Sequence, residues 1–87
     1  MNEKLTDKHI ELLYEVAETH LRWYQLYYKD PPKFDILLEL NHTKLKYLID
    51  DDTTNKEITE RLTAMKKTYQ TMIDEFNSPP FNQTYGE

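Results

Sequence analysis

Residues 58–76 read ITERLTAMKKTYQTMIDEF, and this stretch decides the fold. Ile58, Leu62, Met65, Tyr69, Met72 and Phe76 recur at an unbroken 4-3-4-3-4 spacing, the period of an α-helix with one narrow apolar seam. Most of the residues flanking them are Glu, Lys, Arg, Thr and Gln, the composition of a solvated helix face. Glu57 and Arg61 add a favourable i,i+4 pair on that face. Thr54 and Glu57 have the spacing of a capping box, so the helix is expected to start at about Thr54. It is expected to run to Asn77, before Pro79-Pro80.

Two more helical patterns lie upstream. Asp50-Asp51-Asp52 interrupts the pattern before this helix and places negative charge near its positive N-terminal end. A second helix is expected over about 31–50. Asp30-Pro31-Pro32 ends one helix and starts the next, because a residue before proline avoids the α region while Asp suits an N-cap and Pro the first turn. A first helix is expected over about 6–29, capped by Thr6 or Asp7. The sequence thus predicts an all-α fold: one domain over 1–77, built as a three-helix antiparallel bundle, with a flexible tail over 78–87. Dimerisation into a larger bundle is compatible with this pattern.

Composition sets bounds. The 87 residues include one Gly, four Pro and no Cys, which fits long helices with few turns and rules out disulfide and thiolate chemistry. A chain of this length buries roughly 60–65% of its unfolded surface, so its core is modest. The longest apolar runs are far below the roughly 20 residues that span a bilayer, and Met1-Asn2-Glu3-Lys4 has no apolar leader, so an intracellular, cytoplasmic protein off the membrane is expected. The net charge of −5 argues against nucleic-acid binding, which needs Lys and Arg to neutralise phosphates. The sole Gly, Gly86, leaves no phosphate-cradling loop, and no cofactor motif is present.

The first two helices are apolar over more of their circumference than a three-helix bundle requires. In helix 1, Ile10, Leu13, Tyr14, Ala17, Leu21, Tyr24 and Tyr28 form one stripe. Leu12, Val16, Trp23 and Tyr27 form a second beside it, and together they cover an arc of about 200°. In helix 2, Phe34, Leu37, Leu38, Asn41, Leu45, Leu48 and Ile49 form the main stripe, and Ile36, Leu40 and Tyr47 a second patch. The surplus points to an interface, with a second copy or another protein. The residues expected to bind a protein are Trp23, Tyr27, Leu12, Val16, Ile36, Leu40 and Tyr47, since Trp and Tyr give large contact area with a polar tip. The plain alternative is that these rings snorkel at the rim of a small core.

Chemistry-bearing patterns are weak. Glu15 and Glu18, like Glu57 and Glu60, are i,i+3 carboxylates of the kind that hold Mg²⁺ in all-α nucleotide hydrolases, but the first pair lies on the polar face of helix 1. Glu39-x-x-His42 has the spacing of a di-iron helix, without the second such motif or the two further Glu a site needs, so no metal is assigned. His20, within the apolar arc, fits a hydrogen-bonded core residue better than a pH switch, and His9 is expected at the surface. Asn41, central in the helix 2 stripe, either fixes register or turns to water.

The sequence therefore predicts a small non-enzymatic helical protein that binds a protein partner of unknown identity as inhibitor, adaptor or regulator, with a homodimer among its forms. Its size and Lys-rich, Ala-poor composition fit a phage or mobile-element origin. The alternatives are a bacteriocin-immunity-type bundle, on architecture alone, and a metal-dependent all-α nucleotide hydrolase.

Overall fold

Two reciprocal caps set where helices begin. Thr6 accepts a hydrogen bond from the His9 backbone N–H, while the His9 ring accepts one from the Thr6 N–H. Thr54 and Glu57 exchange the same pair of bonds. Each box satisfies two backbone donors that a helix start leaves open. The computed structural model describes residues 5–78, and in it these caps open α1 (Asp7–Tyr27) and α3 (Asn55–Asn77), with α2 (Phe34–Leu48) between them. No strand occurs among the described residues, so the all-α class holds. The expected tail lies outside the described residues beyond Ser78.

α2 begins three residues later than the sequence suggested. Tyr28 and Lys33, at the two ends of the connector, both have extended backbone, and Lys33 caps α2 with no side-chain hydrogen bond. Pro32 disfavours the α region for Pro31, so the Pro pair belongs to the connector rather than to the first helical turn.

α1 carries most of the packing and touches both other helices; α2 and α3 meet only over a short stretch. α1 and α3 run in the same direction. His9 near the start of α1 contacts Asn55 and Thr59, Glu15 pairs with Lys66 at 3.0 Å, Arg22 bonds to Gln70, and Tyr27 meets Phe76. α2 does not start beside the end of α1, as a plain antiparallel return would. Its first residue, Phe34, packs against Tyr14 in mid-α1 with ring centroids 5.8 Å apart. Further along, Asn41 reaches His20 and Tyr69, and Lys44 reaches Tyr69. α2 therefore lies across α1, and the connector, bent at Lys29 and Asp30, carries the chain back to where it begins.

The core is a cluster of Leu13, Val16, Leu45, Ile58, Leu62 and Tyr69, with Leu12, Leu38, Met65 and Met72 packed around it. The 4-3-4 line of α3 supplies three of those six, and Ile73, outside that line, is buried as well.

Candidate functional site

The α1–α3 seam is made of two matching lines. On α1 it runs His9, Leu13, Val16, His20, Trp23, Tyr27, the same 4-3-4-3-4 spacing as on α3. From His20 onward it meets the α3 residue 49 further on. His20 stacks on Tyr69 at 4.0 Å and 12°, Trp23 and Met72 line one recess, and Tyr27 meets Phe76 edge-on at 5.2 Å.

This line runs between the two stripes read from hydropathy, which corrects several expectations. Val16 is fully buried and Leu12 packs against the core, so neither offers the free surface expected of it. Tyr14, expected in the packed stripe, is 48% exposed. His9, expected at the surface, is buried; its ring nitrogen Nε2 lies 3.2 Å from both the Asn55 carbonyl and Thr59 Oγ1. The physical reason is that α1 serves two neighbours, and its axis of burial passes through two histidines that hydropathy scales count as polar. Both histidines are paired, which is what makes their burial tolerable.

His20 and Asn41 lie 21 residues apart and belong to one buried network across all three helices. Asn41 Nδ2 donates to the Leu37 carbonyl at 2.7 Å and to His20 Nδ1 at 3.0 Å. The carbonyl contact fixes the amide orientation, so Nδ1 is the acceptor and the ring proton resides on Nε2. Tyr69 donates its hydroxyl to Asn41 Oδ1, and the Lys44 ammonium donates to the Tyr69 oxygen at 2.9 Å. Burial, followed by the nearby charge of Lys44, lowers the His20 pKa from 6.5 to about 4. Protonation would also aim a second donor at Asn41 Nδ2. Asn41 is fully buried, so it does not turn to water.

Two surfaces remain open. The first flanks the α1–α3 seam. Trp23 is half-buried, edge-on to Tyr24 and Tyr27, and Tyr27 is 50% exposed. Trp23 and Met72 line two recesses, an upper one with Tyr27, Glu75 and Phe76 and a lower one with Met65, Tyr69 and Lys44. The second is the outer face of α2, where Ile36, Leu40 and Tyr47 are 56%, 43% and 86% exposed. Of the residues expected to bind a protein, the structure thus brings Trp23 and Tyr27 together on one surface and Ile36, Leu40 and Tyr47 on another.

The remaining chemical motifs find other surroundings. Glu15 pairs with Lys66 on α3. Glu39 and His42 border a third recess with Asp35 and Tyr14, and His42 Nε2 is buried there without a hydrogen-bond partner. Among the described residues no three His or acidic side chains are grouped to hold a metal ion, and no helix is long and apolar enough to cross a membrane. Compared with protein-family models, curated proteins and solved structures, the chain matches none.

Proposed function

We propose that this chain is a non-enzymatic helical protein that works by binding another protein, as inhibitor, adaptor or regulator, and that the outer face of α2 is its principal contact. One observation carries this reading. α2 buries Leu37, Asn41 and Leu45 on one side, yet Ile36, Leu40 and Tyr47 stand exposed on the other. At 100° per residue those three fall within about 40° of one another. With Thr43 they make an i, i+4, i+7, i+11 line, the seam by which one helix packs on another. An apolar line of this kind left in water marks an interface.

A second copy of the chain is the first occupant we assign. Two α2 helices paired antiparallel would bring Ile36 near Tyr47 of the other copy. Glu39 and Lys46, on one flank of the seam, would alternate with their opposite numbers, giving complementary charge at each end. A variant carrying Ile36→Glu and Tyr47→Glu tests the reading, because neither side chain contributes to the core. Sedimentation equilibrium should show self-association of the 10.6 kDa chain, lost in the variant while the thermal melt is kept. A wild-type chain that stays monomeric at high micromolar concentration removes the homodimer. If wild type and variant then capture the same proteins from host extract, the α2 face is not the contact.

A further inference from the structure

The lower recess beside the seam is an open groove of about 370 Å³, close to the size at which small-molecule sites begin, roughly 300 Å³. Trp23, Met65 and Met72 form its apolar sides, and the stacked rings of His20 and Tyr69 close it below. Among the described residues that line it, Lys44 alone carries a formal charge, since His20 stays neutral. The Lys44 ammonium is held in place, 2.9 Å from the Tyr69 oxygen and 5.5 Å from the centre of the Tyr69 ring. No carboxylate among the described residues forms an ion pair with it, and Glu75 lines the upper recess instead. One of its three N–H bonds goes to Tyr69, which leaves two for a ligand.

We propose that this groove binds a small aryl carboxylate, with the ring between Trp23 and the two methionines and the carboxylate on Lys44. Each half of that ligand answers a feature of the groove. Methionine side chains adapt to a ring and make favourable sulfur–aromatic contacts, and Trp23 adds an aromatic face or edge. A cation that no described carboxylate pairs with, set beside apolar walls, favours an anion over an alcohol or an amine. A phosphate is the poorer fit, because it calls for several converging donors and this groove offers one lysine. The Lys44–Tyr69–Asn41–His20 chain fixes the ammonium before any ligand arrives, which limits the entropy lost on binding. This site is separate from the outer face of α2, so it stands or falls independently of the proposed protein contact.

The test uses 3-phenylpropionate as the probe, with 3-phenylpropanol as its uncharged analogue and 3-phenylpropylamine as its cationic one. Binding is read from Trp23 fluorescence and from NMR shifts of the Trp23 indole and the Met65 and Met72 methyl groups. The acid is expected to bind about tenfold or more tightly than the alcohol, the worth of a charge-assisted hydrogen bond, and the amine more weakly than either. Lys44→Met should erase the preference for the acid, and Lys44→Arg should keep it. Lys44→Met also loses the bond to Tyr69, so its melt is compared with wild type, and Lys44→Arg carries the test if the fold suffers. Equal binding of acid and alcohol to wild type overturns the proposal. So does a Lys44→Met variant that folds and still prefers the acid, or no response at about 10 mM acid, the weak limit for a site of this size.

Discussion

His20 makes the stability of this protein fall as the solution turns mildly acidic. In the unfolded chain His20 takes up a proton as pH drops through about 6.5. In the folded chain it does not until about 4, because burial and then the Lys44 charge oppose the imidazolium. Between those values the unfolded state binds more protons, so stability decreases with falling pH. The full gap, at 1.36 kcal/mol per pH unit, is worth about 3 kcal/mol. Going from pH 7.5 to pH 5.0 engages part of it, about 2 kcal/mol. That is a large share of the 5–15 kcal/mol typical of a domain. Urea unfolding at the two pH values measures it. With a slope of about 1 kcal/mol per molar for so short a chain, the midpoint should drop by about 2 M. His20→Gln supplies the control, since glutamine is polar and does not titrate and all other groups are unchanged. Its midpoint should move less than that of wild type by nearly this full amount. If wild type and His20→Gln lose the same stability over this range, or if NMR places the His20 pKa above 6, the buried-neutral assignment is wrong.

Two other substitutions probe the seam and the caps. Leu62→Ala, a fully buried deletion, should cost about 2–5 kcal/mol, whereas Trp23→Ala, at the half-buried flank, should cost less; equal losses in paired thermal melts would make Trp23 a core residue. Thr54→Ala should cost about 1 kcal/mol by removing the acceptor for the Glu57 N–H, and a loss confined to a few tenths in urea titrations would mean that water replaces the cap.

The parts of this fold that were legible in the sequence are those with local causes. The α3 seam, the Thr54–Glu57 box and the Thr6 start depend on residues within one or two turns, and all three lie where the spacing put them. What the sequence hid depends on residues far apart. The α1 line through His9, Leu13, Val16, His20, Trp23 and Tyr27 has the same period as α3, yet two of its six positions are histidine. A search for apolar residues alone therefore splits it between two stripes, and Leu12 and Val16 fall on the side taken as spare although they pack into the core. Searching α1 for the α3 spacing, without regard to residue class, would have found it. The histidines are buried because each meets a partner from another segment, Asn55 and Thr59 for His9 and Asn41 for His20. Nothing in the neighbouring sequence announces those partners. On α2 the second patch of Ile36, Leu40 and Tyr47 stands exposed, because a helix crossing a two-helix layer can bury only one face.

That last point links topology to association. α1 and α3 run in the same direction, so the chain must travel from Tyr27 back to Asn55, about the length of α1, or roughly 31 Å for its 21 residues at 1.5 Å per residue. The connector over 28–33, which the Pro pair stiffens, could cover at most about 20 Å of that return even fully extended, and it bends at Lys29 and Asp30. α2 is thereby freed from lying alongside α1 and is laid across it, with Leu37, Asn41 and Leu45 inward. A helix whose only duty was to connect would need a polar outer face, as the outer face of α3 is. α2 instead carries isoleucine, leucine and tyrosine there, with Tyr47 almost wholly in water. Residues of that size are costly to expose and contribute nothing to the intrachain core. Their regular spacing on one line is what a partner helix would account for, and it is why the proposed protein contact is placed on α2 rather than on the aromatic flank of α1.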